Sequence, residues 1–158
     1  MIGVSVLSIA KGIENQLDKM VKNANLLPGY LDRVVYRQYQ KAQRKRWETE
    51  NSDNFSAGGH WEALDPGYAA YKRKKFASYR GGGEKILIAT GRLFEGVIGP
   101  SQDHEKLVTE RQIIISTSVP YAHYVDEDRT FTKFSPMFYS DVYQGLKEYL
   151  VKSLERAF

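Results

Sequence analysis

The chain has 158 residues and no cysteine, which excludes disulfide bonds, thiolate zinc sites and a cysteine nucleophile. Hydrophobic residues make up 42% of it and charged residues 27%, a composition typical of one folded domain and not of a disordered chain. The formal net charge of +4 favours an anionic partner or an acidic neighbouring subunit, and no apolar run approaches the roughly 20 residues that a membrane-spanning helix needs.

The first thirty residues predict a short element followed by an amphipathic helix. We expect no secretory signal here, because a cationic region followed by an apolar core is missing. Apolar residues alternate over 2–6, which fits either a short strand or the lead-in to a helix. Over 13–21 their spacing predicts a helix with one buried stripe, and we expect Pro28 and Gly29 to act as breakers that end it.

A second, longer helix is predicted over 29–50, with a narrow apolar face. Toward its far end the helix is cationic, and the positively charged residues are Arg37, Lys41, Arg44, Lys45 and Arg46. Cations near a helix C-terminus gain about 0.3 to 1 kcal/mol each when exposed, so they fit a solvated helix end; an anion-binding face is the alternative. Residues 51–59 predict a loop with Phe55 as its apolar anchor.

The stretch 61–96 is the centre of the prediction, because apolar anchors, Leu87 and Leu93 on the far side, lie on both sides of a cationic segment. Trp61, Leu64 and Tyr68 are predicted core residues, and the Asp65-Pro66-Gly67-Tyr68 sequence favours a type II turn or a helix start. From Lys72 to Gly83 the chain can bury almost nothing, so we predict a projecting basic arm at about 72–85 with a pliable glycine-rich end. Its cations are Lys72, Arg73, Lys74, Lys75 and Arg80, interleaved with Tyr71, Phe76 and Tyr79.

A short helix and a β-hairpin are predicted after the arm. Thr90 can cap a helix over 93–98, which Gly99-Pro100 would stop. Residues 106–110 and 112–118 predict two antiparallel strands, because the second contains three consecutive isoleucines.

The C-terminal part predicts an acidic loop and a long helix. The chain leaves the second strand through Pro120, and we predict an exposed acidic loop over 126–132. Ser140 is the candidate N-cap of the last helix. Its apolar stripe keeps helical spacing and consists of Val142, Leu146, Tyr149, Leu150 and Leu154.

Candidates for catalysis are few. The three histidines lie in different segments without the spacing of a metal site. His123 precedes Asp126, Glu127 and Asp128, so an acid–base or metal site can be imagined, but we interpret these residues as ordinary surface groups. Residues 81–85 lack the G-x-x-x-x-G-K-[ST] spacing of a phosphate-binding loop. We therefore predict no enzyme, no cofactor and no metal.

The basic arm carries the strongest functional signal. Lysine and arginine beside aromatic residues suit a phosphate backbone electrostatically, but nothing in the arm would read bases. Any contact with DNA should therefore be independent of sequence and weakened by salt.

Three sequence blocks follow one another in a specific order. They are Trp61-x-x-Leu64-x-Pro66-x-Tyr68 with Lys72, then Ile86-Leu87-x-x-Thr90-Gly91-Arg92-Leu93, then Val119-Pro120-Tyr121-Ala122-His123-Tyr124-Val125. Together they resemble the tail-completion and neck proteins of tailed bacteriophages, a group that includes the Mu-type virion morphogenesis protein G and the lambda-type minor tail protein Z. The resemblance covers most of the chain from Phe55 onward.

The resemblance implies an α+β subunit over 1–158, with a small antiparallel sheet packed against N-terminal helices and a long C-terminal helix, and with extended loops. It implies a structural protein of the virion neck, assembled in the host cytoplasm as a hexameric ring between head connector and tail. The implied partners are other copies of the chain, head connector or adaptor proteins, and tail terminator or tail tube proteins. Passing genomic DNA is a further candidate, whereas a membrane is not.

Charged residues are the candidate contacts to neighbouring copies, partners or the ring lumen. They are Arg73, Lys74, Lys75, Arg80, Arg44, Lys45, Arg46, Asp126, Glu127 and Asp128. The basic groups would face the lumen or an acidic surface of the adjoining ring, and the three acidic residues would supply such a surface on a neighbouring copy. Two alternatives stay open at this point: a tail terminator ring, and a nucleic-acid-binding protein without sequence preference.

Overall fold

The structure of the chain is a computed structural model that describes residues 26–81 and 83–155. In this part of the chain, five helices and one two-stranded antiparallel sheet form an α+β fold, which confirms the predicted fold class. The predicted N-terminal element over 2–6 and the amphipathic helix over 13–21 lie outside the described residues.

The first described helix, α1, contributes several buried residues to the fold. It consists of Leu26–Tyr30, a π-helical turn at Leu31–Val35, and Tyr36–Thr49 in direct succession. Pro28 and Gly29 lie inside it, so the prediction that they act as helix breakers at this point is wrong. The helix ends where Glu50 and Asn51 adopt left-handed backbone angles, with φ of 52° and 67°.

Helix α2 is Pro66–Phe76, so of the two predicted alternatives, a type II turn or a helix start, the helix start is the one observed. The Asp65 carboxylate accepts hydrogen bonds from the backbone N–H groups of Gly67 at 2.9 Å and Tyr68 at 3.0 Å, and Pro66 stands at the first position, where its missing N–H costs nothing. The sequence therefore forms a capped helix start. The helix continues through the first residues of the predicted arm.

Helix α3 and the hairpin follow, close to the predicted positions. Helix α3 is Arg92–Ile98, and its N-cap is Gly91 with φ of 88°. The hydroxyl of Thr90, the predicted acceptor, accepts from the backbone N–H of Arg92 at 3.4 Å. Gly99 and Pro100 end the helix as predicted. Strand β1, His104–Val108, pairs antiparallel with β2, Ile113–Thr117, and Leu107 lies opposite Ile114.

The last two helices differ from the prediction. Helix α4, Ala122–Asp128, was not predicted, so the prediction of a loop is wrong for residues 126–128. Helix α5 is Pro136–Glu155, so it begins before the predicted cap at Ser140. The predicted stripe is half-buried at Val142, Leu146 and Tyr149, and α5 approaches α1 closely at Gly145.

The core forms around two tryptophans. Trp47 of α1 and Trp61 have ring centres 5.4 Å apart, and Phe131 lies 5.5 Å from Trp47. Buried residues from the segment before α3, from α3, from the chain after β2 and from α4 complete this cluster: Ile86, Leu93, Val97, Val119 and Ala122. Trp61 is therefore a core residue as predicted, whereas Tyr68 is 48% exposed and the core prediction for it is wrong.

Within the described residues, no helix is both long and apolar enough to cross a membrane.

Candidate interaction surfaces

The cationic end of α1 separates into exposed and buried groups. Arg44 and Lys45 are exposed, as a contact surface requires. Arg46 is 0% exposed, so its proposed role as a surface contact is wrong. The helical period explains the difference, because 42, 43, 46 and 47 face the core while 44 and 45 face solvent.

Arg46 instead holds three segments together. Its guanidinium donates to the Ser56 hydroxyl at 2.7 Å, to the Gln43 side-chain oxygen at 3.3 Å and to the Lys133 carbonyl. It also lies 4.6 Å from the centre of the Phe134 ring. Burial lowers the pKa of Arg46 to about 10, so the charge is retained at neutral pH and satisfied inside the protein.

The basic segment at the end of α2 is also divided by burial. Arg73, Lys74 and Lys75 are exposed on the last turn, and Arg80 is exposed in the turn that follows. Lys72 is 1% exposed, so the prediction that the chain from this residue onward buries almost nothing is wrong. The surface that remains is a set of four cations on one short segment.

Lys72 connects α2 to residues 85 and 86, which follow the basic segment in the chain. Its ammonium group donates to the Lys85 carbonyl and, at 3.3 Å, to the Ile86 carbonyl. Burial lowers the pKa of Lys72, while the nearby Glu50 carboxylate acts in the opposite direction. Gly83 packs tightly on Arg73, since a Cβ at position 83 would lie 3.2 Å from the Arg73 Cα.

The three acidic candidates lie in α4 and have different roles. The Asp126 carboxylate accepts from the backbone N–H groups of Phe131 at 2.7 Å and Thr132 at 3.0 Å, and from the Thr132 hydroxyl at 2.7 Å. It therefore organises the following loop and is a poor partner contact. Glu127 and Asp128 are exposed, and Asp128 pairs with Arg129.

His123 and two carboxylates line one open depression, the arrangement that an enzyme interpretation would need. His123 Nδ1 lies 3.5 Å from Glu127, but the two side chains are 67% and 68% exposed. The third group, Asp126, has both oxygens committed to the loop backbone and Thr132. These three residues therefore hold no oriented acid–base pair.

Among the described residues, no group of three or more histidine, aspartate or glutamate side chains is placed to hold a metal ion.

Several exposed apolar residues were not predicted by the sequence analysis. On the outer face of the hairpin, Leu107 is 57% exposed and Ile114, directly opposite, is 44% exposed. Four exposed tyrosines lie on or next to α4 and α5, namely Tyr121, Tyr124, Tyr139 and Tyr143. The alternation of residues along a strand could have placed Leu107 and Ile114 on one face, but only the register shows that they are opposite each other.

Comparison of the chain with protein-family models, with curated protein sequences and with solved structures finds no match.

Proposed function

We propose that the chain is a structural subunit of a tailed-bacteriophage virion, acting as a tail-completion or neck ring protein between the head connector and the tail. The proposal starts from the three sequence blocks that resemble this group. The observation that carries it further is the exposed apolar pair Leu107 and Ile114 on a hairpin whose outer strand edges have no partner in the described part of the chain.

Such a hairpin is suited to association with another protein. Exposed apolar side chains mark interaction surfaces when they are adjacent, and unpaired strand edges offer backbone donors and acceptors to a second chain. The opposite face of the hairpin packs on the rest of the fold. His104 Nδ1 donates to the Gly96 carbonyl at 3.0 Å, its Nε2 lies 2.9 Å from the Tyr36 hydroxyl, and Gly96 itself lies against Thr117. The exposed pair is therefore held on a fixed support.

The experiment is complementation of a phage that lacks the gene for this chain. Without the chain, filled heads and complete tails should accumulate unjoined, and the supplied chain should restore joined particles that contain it. Recovery of the chain with tail tube protein instead of connector protein would assign it to a tail terminator. Normal joining in its complete absence would contradict both.

A pair of variants tests the hairpin itself. Leu107→Lys with Ile114→Lys should abolish joining, whereas Glu110→Lys in the hairpin turn changes the net charge by the same amount away from that face and should not. Because all three positions are exposed, the unfolding midpoint of each purified variant should match that of the wild-type chain. Equal joining by both variants would remove the hairpin face from the proposal.

A further inference from the structure

The outer face of α1 carries an uninterrupted row of cations. Between positions 33 and 45, every exposed residue is arginine or lysine, and these residues are Arg33, Arg37, Lys41, Arg44 and Lys45. We call them the α1 stripe. Only two of them, Arg44 and Lys45, belong to the surface that the sequence analysis predicted.

The α1 stripe is not explained by local stabilisation of the helix. The helix dipole favours cations only in the last turn, and Arg33 and Arg37 lie about three turns or more before the helix end at Thr49. In the described part of the chain, none of the five forms an ion pair. Asp32, the neighbouring carboxylate, is instead paired with Lys106 at 2.5 Å.

The buried side of the same helix fixes the α1 stripe in place. Trp47 and Arg46 anchor it to the core, and Gln43 donates to the Phe131 carbonyl at 3.0 Å. The stripe spans about 18 Å at about 1.5 Å per residue. One strand of duplex DNA carries a phosphate about every 3.4 Å along the axis, so this length faces roughly five phosphates, as many as there are cations in the stripe.

We propose that the α1 stripe is a binding surface for the phosphate backbone of duplex DNA. The absence of exposed apolar residues between 33 and 45 favours this ligand over an acidic protein, because the centre of a protein interface is depleted of charge and rich in apolar side chains. It also disfavours single-stranded DNA, which needs aromatic side chains for its bases to stack on. Binding through phosphates alone is independent of base sequence.

This inference rests on the proposed function in one respect, since it identifies the DNA-facing surface of the ring subunit. Its test nevertheless uses the isolated full-length chain and measures binding to a labelled random-sequence duplex by fluorescence anisotropy at several salt concentrations. Head-to-tail joining is scored separately, so either proposal can fail while the other succeeds.

Two quadruple variants with the same net charge make the test specific. The α1 variant is Arg37→Gln, Lys41→Gln, Arg44→Gln and Lys45→Gln. The control is Arg73→Gln, Lys74→Gln, Lys75→Gln and Arg80→Gln; each set removes four positive charges and takes the formal net charge from +4 to 0. All eight positions are exposed, so both variants should keep the unfolding midpoint of the wild-type chain.

The α1 variant should weaken duplex binding at least about tenfold at 50 mM salt and reduce the slope of log affinity against log salt by up to about 3.6, which is about 0.9 for each cation removed. The control should change both far less. Equal weakening by the two variants would show an effect of overall charge and overturn the inference. Unchanged binding by the α1 variant would also overturn it, as would absence of duplex binding by the wild-type chain. The last overturning result is competition: polyglutamate or single-stranded DNA, counted per carboxylate or phosphate, should not displace the labelled duplex at a lower concentration than unlabelled duplex does.

Discussion

Arg46 shows how a residue that looks like part of a basic surface can be part of the core. The guanidinium is planar and carries five donors, which lets it reach Ser56, Gln43 and the Lys133 carbonyl at once while its face lies on Phe134. Asp53 accepts from the same Ser56 hydroxyl at 2.7 Å, so this hydroxyl links the Asp53 carboxylate to the buried guanidinium of Arg46. The loops after α1 and before α5 therefore depend on a single side chain.

Replacing Arg46 by Met should lower the free energy of unfolding by about 3 kcal/mol, because Gln43 and the Lys133 carbonyl lose their donor. Arg46→Lys should recover only part of this, since an ammonium group cannot reach all the acceptors in the same way. Urea unfolding measures the effect. The control is Arg44→Met on the exposed side of the same turn, and a loss as large as that of Arg46→Met would contradict the assignment.

At the scale of elements, glycine determines how closely α3 and the hairpin approach. A Cβ at Gly96 would lie 2.6 Å from the Thr117 Oγ1 and 2.9 Å from a Val119 methyl group, closer than such atoms pack. At Gly145 of α5 the nearest atom is the side-chain nitrogen of Gln38 at 3.1 Å, which is the mobile end of a long side chain. The contact of α3 with the hairpin at Gly96 is therefore rigid, whereas the contact of α5 with α1 at Gly145 can adjust.

Gly96→Ala should lower the free energy of unfolding by about 1 to 3 kcal/mol, because α3 must move away from β2. Gly145→Ala should leave stability unchanged or raise it by up to about 1 kcal/mol, since alanine is the better helix former. Thermal and urea unfolding of the two single variants compare them directly. A Gly96→Ala protein as stable as the wild-type chain would contradict the close approach.

Lys72 fixes the segment between α2 and α3, where the sequence predicted a free arm. Lys72→Met removes a charged donor from two carbonyls, a loss of about 1.5 kcal/mol that corresponds to about tenfold more opening of the segment. Trypsin should then cleave within 73–85 about tenfold faster in the native protein. Lys74→Met removes one trypsin site in the same way but is exposed, so its cleavage rate should stay near that of the wild-type chain.

At the scale of the whole molecule, several carboxylates couple folding to pH in the same direction. The hydrogen bond from Arg92 lowers the pKa of Asp103 below its ordinary value of 3.8. For Asp53, burial alone would raise the pKa, but hydrogen bonds from Ser56, Phe55 and Thr49 together lower it. At pH values between their lowered pKa in the folded chain and their ordinary pKa in the unfolded chain, both carboxylates bind fewer protons in the folded chain.

Stability should therefore be full above about pH 4 and should fall as the pH drops through the lowered pKa values of the folded state. The urea midpoint of the wild-type chain, measured between pH 7 and pH 2, should show this loss. Asp103→Asn should be less stable at pH 7 and should lose less on acidification. An identical pH profile for wild-type chain and variant would rule out a contribution from Asp103.

The sequence predicted those parts of the molecule that depend on local pattern. The hairpin followed from three β-branched isoleucines, and the half-buried stripe of α5 followed from helical spacing. The burial of Lys72 and Arg46 and the commitment of the Asp126 carboxylate to the following loop were missed, because each depends on groups that other residues bring to it and no local pattern identifies such partners. For the candidate surfaces, charge counts identified the basic segments but not which charges stay in solvent.

The two tryptophans of the chain lie side by side in the core, at 2% and 3% exposure. Fluorescence excited selectively at tryptophan, and not at the tyrosines, therefore reports the interior. Emission should be blue-shifted and shielded from acrylamide in the native protein, and should shift to longer wavelength as the packing of α1 is lost. Because DNA contains no tryptophan, this signal makes it possible to follow the folding of every variant in the presence of the duplex without a label.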